Sequence, residues 1–285
     1  MPPIGAHFSI AGGYIEAFKR ANNISASAIQ IFTKSPRGGI LRVVSEKEKK
    51  EVESWENRES IKYVVIHASY LLNLAKPLAK DSYETQSLCD DLLSADRLGA
   101  DGVVLHVGKT LDRESQEAEE LFVKNVTMVL EKTNNLKAKI ILENTAGQGT
   151  EMGYNLELLG KIFKAIKRET PYKKRVAICI DTQHVFASGC DITTKEGRSK
   201  TVTDLGTYIG LGEIVCIHLN DSKKICGSRV DRHEDIGHGK IGENSLKLFI
   251  SEIIKKSQNT IPLILETPET FLSFAEQIKL VQSWK

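Results

Sequence analysis

Nine side chains of the types that ligate zinc-like metal ions recur through this 285-residue chain. Six of them close an apolar triplet: His67 after Val64-Val65-Ile66, His106 after Val103-Val104-Leu105, Glu143 after Ile140-Ile141-Leu142, Asp181 after Ile178-Cys179-Ile180, His218 after Val215-Cys216-Ile217, and Glu266 after Leu263-Ile264-Leu265. Three more follow nearby, His184 in Asp181-Thr182-Gln183-His184, and Asp231 and His233 in Asp231-Arg232-His233. Five histidines and four carboxylates exceed what one tetrahedral ion takes. They suit two or three ions that share carboxylates and keep open positions. Histidine and carboxylate without thiolate favour zinc or manganese in a catalytic role, and an open polynuclear site of that kind suits hydrolysis. A lone histidine at a strand end is more often a hydrogen-bonded support than a ligand. That blander reading has to hold at all nine positions at once, on one rim where unpaired carboxylates would repel.

The triplets also say what positions these groups. Short β-branched runs read as strands buried on both faces, as in a parallel sheet. Successive ligands stand 39, 37, 38, 37 and 48 residues apart, the length of a strand, a helix and two loops. Pro3 to His7 and Ala28 to Phe32 read as two further strands, making eight. Between them lie amphipathic stretches. One begins at Asp81 with Glu84 as a capping box, runs through Leu92, Leu93 and Leu98, and stops at Gly99. Others are marked by Leu121, Val129 and Leu130; by Leu156, Leu159, Ile162, Phe163 and Ile166; and by Leu246, Leu248, Phe249, Ile253 and Ile254. Ser45 to Ser60, dense in Lys and Glu, reads as a solvated helix face. The alternation predicts an α/β fold, a (β/α)8 TIM barrel over residues 1–285 as one domain, with a metal-rich C-terminal face.

Composition narrows the partners. A net charge of +2, from 39 basic and 37 acidic residues, announces no nucleic acid by bulk charge, so any DNA-binding face must be local. The five cysteines form no Cys-x-x-Cys pair, and two lie inside apolar runs. They read as reduced, and the chain as intracellular, cytoplasmic by default with a nuclear address left open. No leader pattern or membrane-spanning run is present, and a monomer is expected. Gly237-His238-Gly239-Lys240-Ile241-Gly242 matches G-x-G-x-x-G literally but does not open a βαβ unit. Its glycines are expected to let backbone approach a ligand, with His238 facing solvent or substrate. His7, ending the first strand, is expected to support the site.

At this point the motifs are identifiable: the chain resembles the endonuclease IV family of apurinic/apyrimidinic DNA-repair endonucleases almost end to end. The most specific segment runs from Ile217-His218-Leu219-Asn220-Asp221-Ser222-Lys223 through Asp231-Arg232-His233 to Ile236-Gly237. His67-Ala68-Ser69-Tyr70-Leu71-Leu72-Asn73-Leu74-Ala75, Cys179-Ile180-Asp181-Thr182-Gln183-His184 and Glu143-Asn144-Thr145-Ala146-Gly147-Gln148-Gly149 are also similar to family signatures. Gln183 stands where the family commonly has cysteine, Val107 where proline is common, and Gly38-Gly39 where bacterial members often carry a polar residue and an aromatic.

The resemblance implies three zinc ions, with manganese an option at one position. His67, His106 and Glu143 would hold the first. Glu143 would bridge to a second, held also by Asp181, His218 and Glu266, and His184, Asp231 and His233 would hold the third. Glu143 and Glu266 would be the catalytic carboxylates. The implied reaction cuts duplex DNA 5′ to an abasic site, leaving a 3′-hydroxyl and a 5′-deoxyribose phosphate, and trims blocked 3′ ends. Arg37, Tyr70 and Leu71 would enter the minor groove at the lesion. Lys34, Arg37, Lys223, Lys224, Arg229 and Arg232, all in loops after strands, would contact phosphates. A sugar isomerase or epimerase of the xylose-isomerase-like barrels is the alternative, since it fits the six strand-end ligands nearly as well. It does not require the Asp231-Arg232-His233 loop. A non-catalytic damage binder would be expected to lack some of the ligands.

Overall fold

The computed structural model describes residues 2–36 and 40–284. Among them the strands are β1 (Ile4–His7), β2 (Ala28–Ile31), β3 (Tyr63–His67), β4 (Gly102–His106), β5 (Lys139–Glu143), β6 (Val176–Asp181), β7 (Ile214–His218), β8 (Asp221–Ser222), β9 (His233–Glu234) and β10 (Leu263–Leu265). Eight of these close into a parallel barrel in the order β1, β10, β7, β6, β5, β4, β3, β2, while β8 and β9 pair antiparallel outside it. The barrel closes tightly. At Gly5 an added Cβ would lie 1.6 Å from the Ala28 carbonyl oxygen, so only glycine permits β1 and β2 to meet there.

The strands alternate between two cores. Val65, Val104, Ile141, Cys179, Cys216 and Ile264 pack with one another inside the barrel. Their neighbours in sequence, such as Ile66, Leu105, Leu142, Ile180 and Ile217, face outward into the larger core with the helices. Side chains on a strand repeat every second residue. Two residues beyond the six interior positions lie His67, His106, Glu143, Asp181, His218 and Glu266. The same parity that fills the barrel therefore aims these six groups inward at its C-terminal mouth, where Glu266 sits one residue beyond β10.

The outer helices are α1 (Tyr14–Asn23), α2 (Glu46–Glu53), α3 (Tyr83–Leu98), α4 (Ser115–Lys132), α5 (Leu156–Glu169), α6 (Thr182–Ala187), α7 (Lys195–Asp204), α8 (Glu243–Ser257) and α9 (Phe274–Gln282). In α5, Leu156, Leu159, Ile162, Phe163 and Ile166 are all buried. Each such side chain contributes roughly 1.5–3 kcal/mol on burial. Helix α3 starts later than the sequence suggests. Ser82, not Asp81, is its cap, because Ser82 has the extended conformation that lets its hydroxyl accept from the Thr85 N–H. Gly99 ends it in the left-handed region, φ 62°. In α8, Leu248 is exposed rather than part of the apolar face. Between β6 and β7 the chain forms two helices, α6 and α7. The second carries too few apolar residues to be read from periodicity.

Candidate metal centre

The nine ligand-type residues meet at the C-terminal mouth. Three overlapping groups have donor atoms within 4.8 Å of one another: His67, His106 and Glu143; Glu143, Asp181, His218 and Glu266; and Asp181, His184 and His233. Asp231 joins the third group. Its Oδ2 lies 3.5 Å from His184 Nε2, and its Oδ1 3.4 Å from His233 Nε2. Glu143, fully buried, faces both sides. Its Oε2 lies 3.3 Å from His67 Nε2 and 3.2 Å from His106 Nε2, and its Oε1 lies 2.8 Å from His218 Nδ1.

Backbone and amide groups fix how the rings present themselves. His67 Nδ1 donates to the Ala68 carbonyl oxygen at 2.6 Å, His184 Nδ1 to the Asn144 carbonyl oxygen at 2.9 Å, His233 Nδ1 to the Glu266 carbonyl oxygen at 3.1 Å, and His218 Nε2 to Gln30 Oε1 at 2.8 Å. Each of these four rings therefore keeps its other nitrogen for the carboxylates, the arrangement that orients metal-ligating imidazoles. His233 Nε2 is buried and has no hydrogen-bond partner. A buried orphan atom beside two aspartates, among oxygen and imidazole donors, fits a bound cation.

Charge is concentrated here. Burial alone would raise the Glu143 carboxyl, but His218 and His106 outweigh it and hold it well below the usual carboxylate range. Glu266 is likewise held low against burial, chiefly by His218 and His7. Burial opposes protonation of His184 and His218, yet Asp181 and Asp231 push the first well above its ordinary value, and Glu266 and Glu143 do so for the second.

Comparisons with known proteins fall on the same side. The family described as "Xylose isomerase-like TIM barrel" matches residues 18–284. A protein named "Probable endonuclease 4" from Chloroflexus aurantiacus is 36% identical over 272 residues, covering 94% of this chain and 92% of its own. The chain belongs to the endonuclease IV family. A crystal structure of endonuclease IV from Thermus thermophilus superposes with a TM-score of 0.83 at 32% identity, covering 99% of this chain and 98% of that one. A D-tagatose 3-epimerase-like protein, TM-score 0.74 and 20% identity, covering 99% of this chain and 96% of its own, shares the fold alone.

Seen as an endonuclease IV fold, the chain carries polar supports that strand and motif reading does not single out. Gln30 occupies an interior position of β2, two residues past Ala28, where parity alone is enough to flag it. It donates through Nε2 to Glu266 Oε1 at 2.5 Å and to His7 Nδ1 at 3.0 Å, which places His7 beside the cluster as a neighbour of Glu266. Asn220 donates to Asp181 Oδ2 at 2.6 Å and accepts from the Glu266 N–H at 2.8 Å. The glycine-rich loop differs from expectation. Its backbone N–H groups at Gly237, Gly239, Ile241 and Gly242 converge on the buried carboxylate of Asp221, so the glycines admit an internal anion instead of a ligand. A Cβ at Gly239 would lie 2.4 Å from Asp221 Oδ1. His238 is exposed and stacks on Phe271, ring centroids 4.7 Å apart.

The groups assigned to DNA divide. Tyr70 and Leu71, 46% and 57% exposed, project just past β3. Arg37 and the glycines after it lie outside the described residues. Lys34 is withdrawn from solvent. Its Nζ is 2.5 Å from Asp91 Oδ1, and its side chain is only 7% exposed, so it braces the root of its loop and is not free for phosphate. Lys223, Lys224, Arg229 and Arg232 reach solvent, with the Arg229 guanidinium 4.5 Å over the Tyr154 ring. No helix among the described residues is long and apolar enough to cross a membrane.

Proposed function

We propose that this protein is a zinc-dependent DNA-repair endonuclease. It hydrolyses the phosphodiester 5′ to an abasic site in duplex DNA, leaving a 3′-hydroxyl and a 5′-deoxyribose phosphate, and removes blocking groups from 3′ ends. The observation that carries this reading is the junction of Asp231 and His233 with His184. It adds a third donor group to the two that strand ends alone provide. His67, His106 and Glu143 would hold one zinc, Asp181, His218 and Glu266 with Glu143 a second, and His184, Asp231 and His233 the third, with manganese able to replace zinc at one of them. When bound, such ions acidify a water for attack on phosphorus and stabilise charge on the leaving oxygen.

The chain's own residues do the rest. Glu143 spans the first two donor groups with its two oxygens, so it sets their separation. Glu266, tethered by Gln30, closes the second group. Gln30, Asn144, Asn220 and the carbonyl of Ala68 hold the ligands in one arrangement before substrate arrives, which spares that reorganisation during reaction. Tyr70 and Leu71, with Arg37, would fill the gap left by a missing base, where opening the duplex costs least. Lys223, Lys224, Arg229 and Arg232 would hold the phosphates beside it.

The test is incision of a duplex carrying a single abasic analogue, with metal content measured on the same preparation. The expected result is a nick 5′ to the analogue by a chain holding three zinc ions. An intact duplex together with fewer than two ions per chain defeats the proposal.

A further inference from the structure

Asp231 has no strand register to aim it. It lies between β8 and β9 on residues 223–232, which form neither helix nor strand. The peptide that precedes it is nevertheless held at both polar ends, by one side chain from a helix and one from another loop. Gln183, fully buried in α6, donates through Nε2 to the Val230 carbonyl oxygen at 3.0 Å. On the other end of the same peptide, the Asp231 N–H donates to Gln148 Oε1, at 3.1 Å, from the loop after β5. A peptide is planar, so fixing its oxygen and its nitrogen fixes the plane from which Asp231 departs. From there its carboxylate reaches both His184 and His233.

A second feature separates this arrangement from ordinary packing. Gln183 Oε1 is buried without a hydrogen-bond partner. Leaving such an acceptor unmade disfavours the fold. An apolar side chain of similar volume would fill the space without that penalty. What the amide supplies is the donor that grips Val230, with a longer contact of 3.4 Å to Ser222 Oγ.

We infer that Gln183 and Gln148 are positioning residues for Asp231, clamping the Val230–Asp231 peptide so that the third donor group is formed before a cation arrives. This rests on the reading that His184, Asp231 and His233 hold an ion. It also gives Gln183 a role in metal retention.

The experiment compares the zinc-loaded wild type with Gln183→Leu, Gln148→Ala and the double variant, titrating each with a competing chelator to obtain one affinity per ion. One ion is expected to be held about 10- to 100-fold more weakly in each single variant, the range found when groups behind metal ligands are removed. The other two ions should be unchanged. The metal-free Gln183→Leu protein should melt close to wild type, since the unpartnered buried oxygen it loses offsets the Val230 carbonyl it leaves without a donor. The inference fails if no ion's affinity falls by about tenfold, or if all three fall together. Should Gln183→Leu not fold, Gln148→Ala decides alone, because Gln148 is exposed. A wild type that holds fewer than three ions defeats the reading of the site, and the clamp with it.

Discussion

Two halves of the metal centre are built by different means. His67, His106, Glu143, Asp181, His218 and Glu266 are aimed by strand parity and by register, with His106 opposite Glu143 and Asp181 opposite His218 in the barrel ladders. Asp231 and His233 lie outside the barrel and are aimed by polar side chains and one short hairpin. Ser222 pairs with His233 across β8 and β9, and the Asp221 carboxylate gathers the glycine-rich loop. Asp235 accepts from the N–H groups of Glu269, Phe271 and Leu272, joining the loop after β10 to the same structure. A barrel end places ligands as a by-product of its own packing. A loop can do so only when buried acceptors and donors replace the missing ladder.

That contrast predicts different failures. On the barrel side, Glu143→Gln should lower abasic-site incision by roughly a thousandfold or more while circular dichroism stays native. Near-normal incision would show that the strand-end carboxylates are not the chemistry. On the loop side, Asp221→Ala would leave the buried N–H of Ile241 and the part-buried N–H groups of Gly237, Gly239 and Gly242 without their acceptor, and local stability should fall by about 3 kcal/mol or more. Hydrogen exchange should accelerate at Gly237, Gly239, Ile241 and Gly242 but not in β3 to β7. Uniform acceleration would mean that the two halves are not separate units. Gln30→Leu sharpens the comparison because it removes a support from inside the barrel. Zinc affinity at the group containing His218 and Glu266 should drop about 10- to 100-fold, measured by chelator competition, with the His184 group spared.

The smallest effects concern cations on the rim. Lys223→Ala should reduce the slope of log affinity for DNA against log salt by about one, and an unchanged slope would remove Lys223 from the phosphate contacts. Lys34→Ala should leave the slope alone and instead lower thermal stability. Burial already pushes the Asp91 carboxyl up despite Lys34. Without that partner, the ionised Asp91 is the destabilising form, so the deficit should be largest at neutral pH and shrink as acid protonates it.

The same division decides what can be read from the chain. Apolar triplets ending in ligands reveal the barrel strands and the direction of six side chains, because burial on both faces leaves a plain signature. Asp231 and His233 are visible as metal-binding types, but nothing local says how the connection between β8 and β9 brings them to His184. The supports are hidden for the same reason. Gln30 interrupts an apolar strand and can be found by parity, whereas Gln148, Gln183 and Asp235 act through backbone groups distant in sequence. Lys34 reads as a surface base because its partner Asp91 lies 57 residues away on α3. Asp81 reads as a helix cap because a one-residue shift in a cap depends on backbone conformation, not on residue type.

Anomalous diffraction at the zinc edge, from crystals grown with zinc, tests the central claim most directly. Three peaks are predicted, one at each donor group, with the third against His184, Asp231 and His233 and with His233 Nε2 as a ligand. Peaks confined to the strand-end groups, with His233 Nε2 bare, would contradict the account.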